Sequence, residues 1–194
     1  MISKEVDVVK YLLEHKGEEL NMRSLAKGLK IDYKNIHTMV KRLQKKGIIT
    51  LEPFGRSYKI LLSNTCSPIV FDAEYTRRKE TLKDKNMRTL VDYFQRNVKS
   101  RFYCMLLFGS HAKGTQTKHS DIDILFIVPD DKEDQMERSI QSVTSLIPLK
   151  LDVHIFKEKD FIAMKNSKET TVGSEAIQNN IILHGIEPYY ELLS

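Results

Sequence analysis

The chain has 194 residues, 41% of them hydrophobic and 29% charged, with a net charge of +5 at neutral pH. This suits one medium domain or two small ones with a real core, in an ordinary soluble composition. Only two cysteines, no apolar leader in MISKEVDVVK and no apolar stretch of spanning length exclude a disulfide framework, a signal peptide and a membrane span, so a soluble cytoplasmic protein is expected.

In chain order, Ile2, Val6, Val9 and Leu13 recur at helical spacing until HKGEE. Met22, Leu25, Ala26 and Leu29 predict a second, short helix with Asn21 as its cap. Asp32 caps a third, whose apolar face is Ile36, Val40 and Leu43. Gly47 ends it, after Lys45 and Lys46 in a last turn where positive charge suits the helix dipole. IITLEP, a turn at FGR and SYKILL then predict a hairpin.

Three helices closed by a hairpin resemble a winged helix-turn-helix, expected over residues 1–65. The outward face of its third helix shows Lys34, Asn35, His37, Thr38, Lys41, Arg42 and Lys45, with Arg56 at the wing tip. Those donors suit a major groove and its phosphates, so double-stranded DNA is the expected partner and a homodimer the expected form. Charge agrees: residues 1–65 carry +6, residues 66–102 carry +4 and residues 103–194 carry −5. A solvated helix face, in a module for dimerisation or for holding a partner protein, is the other reading of the same residues.

LSNTCSPIVF breaks the patterning, and residues 66–99 are expected as a linker and connecting helix. Leu90, Val91, Phe94 and Val98 lie on one face of its second half, whereas Glu74, Arg77 and Arg78 belong to a charged helix. From residue 100 to 194 the pattern is α/β. FYCMLLF, DIDILFIV and LKLDVHIF are predicted strands, and Met136, Ile140, Val143 and Ile147 mark a helix between the last two. Two further helices are predicted, near 158–166 and 173–184.

The chemistry gathers in LLFGSHAKGTQTKHSDIDILFIV. Gly109-Ser110 after a strand can turn backbone N–H groups onto a phosphate, though a lone Gly-Ser is also an ordinary turn. Asp121 and Asp123 alternate onto one strand face, where like charges repel unless a cation lies between them. Asp152 interrupts another apolar strand and supplies a third carboxylate. All-oxygen donors of this kind suit Mg²⁺ holding substrate phosphates. His111 and Lys113 either touch phosphate or face solvent, and His154 either lines the acceptor side or is structural.

The string Gly109-Ser110-x-Ala112-x-Gly114, then Ser120-Asp121-x-Asp123, resembles the signature of the DNA polymerase beta-type nucleotidyltransferases. The short form is similar to the minimal nucleotidyltransferases of bacteria and archaea, over roughly residues 90–190, and the C-terminal EAIQNNIILHGIEPYY resembles their ends. A winged helix before such a domain is familiar from archaeal members. The resemblance implies two domains, the second an α/β nucleotidyltransferase fold with a mixed sheet. It implies that Gly109 and Ser110 bind the triphosphate of ATP or another nucleotide, and Lys113, from its place beside them, is counted with the nucleotide-binding residues. It further implies that Asp121 and Asp123 bind two Mg²⁺ ions, and that Asp152 binds the catalytic ion and helps activate an acceptor hydroxyl. No large domain for a primer or tRNA end is present, which argues against a polymerase. Minimal members often act as antitoxins that adenylylate a small helical ribonuclease toxin, which makes a protein acceptor one expectation, although those antitoxins commonly lack an N-terminal module. The alternative expectation is a DNA-binding regulator that uses the nucleotidyltransferase fold to sense nucleotide or hold a partner.

Overall fold

An apolar stripe organises the first helix, α1 (Lys4–Glu14), which buries Val6, Val8, Val9, Leu12 and Leu13. The structure, a computed structural model, describes residues 4–166 and 171–194, so Ile2 lies outside the described residues. Helix α2 (Met22–Leu29) starts with a reciprocal cap. Asn21 Oδ1 accepts from the backbone of Arg23 and Ser24, and Ser24 Oγ accepts from Asn21 N at 2.8 Å. Helix α3 (Tyr33–Lys45) is capped by Asp32, whose Oδ1 accepts from Asn35 N at 3.0 Å. It buries Ile36, Met39, Val40 and Leu43, and Gly47 follows with φ +70°. Strands β1 (Ile49–Phe54) and β2 (Ser57–Leu62) pair antiparallel and turn at Gly55-Arg56.

The chain divides into two compact units, residues 1–76 with Leu193 and Ser194, and residues 77–192. Helix α4 (Pro68–Thr81) runs through that division. The first unit is a helical bundle with a β-hairpin wing. The second is an α/β unit with a mixed sheet.

The expected single connecting helix is instead two. Helix α5 (Lys85–Asn97) begins afresh at Asp84, whose Oδ1 accepts from Asn86 N and Met87 N at 2.8 and 3.0 Å. An aspartate three residues ahead of an apolar stripe is a start signal that the surrounding charge run conceals.

The second unit continues with β3 (Cys104–Leu107), α6 (Gly109–Lys113), β4 (Ile122–Val128), α7 (Glu133–Thr144) and β5 (Leu151–Lys157). It closes with α8 (Glu158–Asn166), α9 (Val172–Gln178), β6 (Ile181–His184) and α10 (Ile186–Leu193). The sheet order is β5-β4-β3-β6, with β4 and β5 parallel and β3 antiparallel to both its neighbours. One sheet face, with Met105, Leu107, Ile122, Ile124, Phe126 and Val128, packs against the apolar stripes of α5 and α7. Phe94 of α5 meets Phe126 with ring centroids 5.0 Å apart, a pair whose truncation to alanine costs about 3–5 kcal/mol per ring. By alternation the opposite face carries Asp123, Leu125 and Ile127 of β4.

The helix expected over 173–184 ends at Gln178. Asn179 and Asn180 break it, and Ile181–His184 becomes an edge strand on β3. Asn180 is buried and holds the corner, donating from Nδ2 to Tyr189 Oη at 2.8 Å while its carbonyl accepts from Arg77 Nη2 at 2.7 Å.

Candidate functional site

Strands β4 and β5 are parallel, and in their register Asp123 lies directly beside Asp152. Cross-strand neighbours in a sheet share a face, so the two carboxylates stand together. Asp121 lies two residues before Asp123, just ahead of β4, and its charge acts weakly on the Asp123 carboxyl. The loop that delivers it is closed on itself: Ser120 Oγ accepts from Thr117 N at 2.9 Å, and Ser120 N donates to Thr117 O at 3.2 Å.

The backbone of Gly109 closes the site from the β3 side. Its φ is +64°, and a Cβ there would lie 2.8 Å from Asp123 Cγ and closer still to Oδ2. Only glycine meets both the left-handed backbone and that approach. Phe108 N donates to Asp123 O at 3.1 Å and locks the two segments together. Helix α6 then begins without a side-chain cap, so the N–H groups of its first turn are available to an anion beside Asp123.

The electrostatics are those of crowded carboxylates. Burial raises the proton affinity of Asp123 above the usual carboxylate range, and the charge of Asp152 raises it further. His111 opposes this shift, while Glu175 and Asp121 add to it. The neighbours have local partners. Asp121 Oδ1, shielded from solvent, meets Lys150 Nζ at 2.6 Å, an ion pair without the alignment of a hydrogen bond. Asp152 Oδ2 lies 3.3 Å from His154 Nε2. Lys113 Nζ lies 2.9 Å from Glu175 Oε1 on α9. The His111 Nε2 atom is buried with no hydrogen-bond partner among the described residues.

The oxygen-only donors and their mutual repulsion fit a hard divalent cation at Asp121, Asp123 and Asp152. As placed, however, the three carboxylates are not drawn to one point: among the described residues, no group of three or more His, Cys, Asp or Glu side chains is arranged to hold a metal ion. Lys150 provides positive charge at Asp121 instead.

Residues 87–178 match the family described as Nucleotidyltransferase domain, and residues 2–63 match the family HVO_A0114. The second unit contains a nucleotidyltransferase-like domain. Among solved structures, the chain is similar to MepR, a transcription regulator of the Staphylococcus aureus multidrug efflux pump MepA. The identity is 15% over 74% of this chain and 77% of that one, with a TM-score of 0.35. It is also similar to a toxin-antitoxin crystallised with AMP-PNP, at 20% identity over 55% of this chain and 79% of that one, with a TM-score of 0.34. At these values neither likeness bears on activity. No curated protein matches the chain.

In the nucleotidyltransferase-like domain, the structure sets Gly109, with Ser110 next in the chain, against Asp123 and Asp123 beside Asp152, pairs Asp121 with Lys150, and turns Lys113 toward Glu175. Sequence reasoning did not single out Lys150 or Glu175. Lys150 could have been found two residues before Asp152, but Glu175 lies on a different helix with no sequence signal linking it to Asp123.

The winged-helix-like unit places Lys34, Asn35, His37, Thr38, Lys41, Arg42 and Lys45 on the exposed side of α3, and Arg56 exposed at the hairpin turn. Several have local partners. The Asn35 side chain is tied to Asp32, Thr38 Oγ1 donates to Lys34 O at 3.0 Å, and Arg42 lies 4.0 Å from Glu5. His37, Lys41 and Arg56 line a cleft of 610 Å³ between α3 and the hairpin. Among the described residues, no helix is long and apolar enough to cross a membrane.

Proposed function

We propose that the chain transfers a nucleoside monophosphate, AMP from ATP in the first instance, onto a hydroxyl of a protein or small molecule: the hydroxyl oxygen bonds to the α-phosphorus, the α–β phosphoanhydride bond breaks, and pyrophosphate and a proton leave. The observation that supports this best is the Asp123–Asp152 pair with the Gly109 backbone pressed against it. Asp121 and Asp123 would hold divalent metal, with Asp152 shared by the catalytic ion, and that metal would neutralise the triphosphate and lower the pKa of the acceptor hydroxyl. Gly109 and Ser110 would present the first-turn N–H groups of α6 to phosphate oxygens. Lys113 would leave Glu175 to meet the triphosphate, a change between two ion pairs at the surface. Asp152, on the edge strand, would accept the hydrogen bond of the incoming hydroxyl and orient it for in-line attack.

A second role is favoured by the exposed basic face of α3 and the +6 charge of residues 1–65. That face suits duplex DNA, so the chain would be a DNA-bound nucleotidyltransferase, or a regulator in which the same site senses nucleotide. A homodimer on a two-fold DNA site is the form this reading expects.

Label transfer separates the readings. With Mg²⁺ and cell extract, ATP labelled at the α-phosphate should leave label on an acceptor, and ATP labelled at the γ-phosphate should not. Asp123→Asn should abolish the transfer while keeping the fold. Mg²⁺-dependent ATP binding without transfer would favour the sensor, and no binding at all would remove both nucleotide roles.

A further inference from the structure

Away from the carboxylates, α7 and the segment after α5 enclose an open cleft of 930 Å³. Its walls are residues 97–102 on one side and one face of α7 on the other. Four cations line it, Lys99, Arg101, Lys132 and Arg138, and no carboxylate does. This is unexpected in a region where residues 103–194 carry −5 and α7 itself begins with Glu133 and Asp134. The acidic residues of α7 are turned elsewhere; Glu133, for example, pairs with Lys157. Among the described residues, none of the four cations forms an ion pair. Arg138 Nε and Arg101 Nη1 donate only to backbone carbonyls, those of Asp134 and Gln95, and keep their other donors.

Phe102 stands in this cleft 74% exposed, and Leu146 63% exposed. Lys132 Nζ lies 5.9 Å from the centre of the Phe102 ring. An exposed aromatic face beside cations is a platform on which a flat group can stack, and its neighbours indicate which. Backbone phosphates meet lysine and arginine, while an unpaired base stacks on an aromatic face. A duplex does not offer that face, because its bases are stacked on one another. An acidic amphipathic peptide would also match the charge. It would, however, need a continuous apolar floor: of the apolar residues lining the cleft, Met136 and Val143 are nearly fully buried, Phe102 and Leu146 stand apart on opposite walls, and α7 presents Gln135, Ser139 and Ser142 between them.

We propose that this cleft binds a single-stranded nucleic acid segment, with one base stacked on Phe102 and the flanking phosphates held by Lys99, Arg101, Lys132 and Arg138. The site is independent of the nucleotidyl-transfer reading, since it shares no residue with the carboxylate face.

The test is fluorescence anisotropy of the full chain with labelled dT12 and rU12 over a range of salt, in parallel with a labelled glutamate-rich peptide. Lys132→Gln with Arg138→Gln should weaken strand binding at least tenfold and make the salt slope shallower by about 1.4, the value for two lost phosphate contacts on a single strand. Phe102→Ala should weaken it about tenfold, and Phe102→Trp should restore it. Because these side chains are exposed, the melting temperature should stay unchanged, and a far-UV spectrum confirms the fold. Preference for dT12 or rU12 decides between DNA and RNA. Strand affinity unchanged in the Phe102→Ala and double-glutamine variants overturns the proposal. So does peptide binding that exceeds strand binding and depends on the same residues.

Discussion

At the scale of single residues, Gly109 is the position where backbone geometry and carboxylate chemistry meet. Gly114, five residues on, has a similar φ of +69° but open space around it. Replacing each by alanine therefore separates two costs. Gly114→Ala incurs the left-handed backbone alone, about 1–2 kcal/mol. Gly109→Ala incurs that and a collision with Asp123, adding about 1–3 kcal/mol of crowding. Thermal melting should place the Gly109 variant below the Gly114 variant by several degrees, at about 2–4 °C per kcal/mol. Calorimetric titration with Mg²⁺ and ATP should show binding lost in the first and kept in the second. Equal melting temperatures would mean that Asp123 can move aside without cost. These residues were legible in the sequence because a Gly-Ser turn and alternating aspartates are local patterns. What they touch was not legible: the approach of Gly109 to Asp123 depends on how β3 and β4 pair.

Among the elements, the same division between local and long-range information explains which were foreseen. Helices α1, α2 and α3 and the hairpin carry their signals within a few residues, in caps, stripes and a turn. Strand β6 does not, because Ile181–His184 is a short apolar run whose form is set by the free edge of β3. Its last residue, His184, shows how that end is held. Gln95 Nε2 donates to His184 Nδ1 at 3.4 Å, and His184 Nε2 donates to Arg101 O at 3.2 Å, while the ring stacks on Tyr103 at 4.5 Å. Those partners require a neutral ring with its proton on Nε2. Burial lowers its proton affinity below the ordinary histidine value of 6.5; the hydrogen bond to Arg101 O opposes this, and the charges of Arg78 and Arg101 add to it. Protonation thus favours the unfolded chain: this contribution to stability is complete above pH 6.5 and is lost as pH falls toward the folded value. The melting temperature should therefore drop between pH 7 and pH 5 by more in the native chain than in His184→Gln, whose amide can still donate to Arg101 O. The protection of the Ile182 and Leu183 amides against hydrogen exchange, taken relative to the intrinsic rate at each pH, should fall over the same range. Parallel pH profiles for the two chains would remove His184 as the source.

For the whole molecule, the proposed activities fall in different units, so they should be separable by substitution. The duplex-binding face depends on exposed lysines of α3, and the nucleotide site on carboxylates held by β4 and β5. Each phosphate contact on a duplex contributes about 0.9 to the slope of log affinity against log salt. Lys41→Ala with Lys45→Ala should make that slope shallower by about 1.8. Neither lysine has a carboxylate partner among the described residues, although Lys41 Nζ donates to Gln44 Oε1 at 3.3 Å, so their loss should leave the melting temperature nearly unchanged. Magnesium-dependent ATP binding should be unaffected in that variant. Asp123→Asn should show the reverse pattern, keeping duplex affinity and its salt slope while losing ATP. A duplex salt slope insensitive to Lys41 and Lys45 would place the duplex on another surface of the chain. Loss of ATP binding in the lysine variant would instead show that the two units report to one another, because no residue of the first is needed to build the Asp123–Asp152 pair.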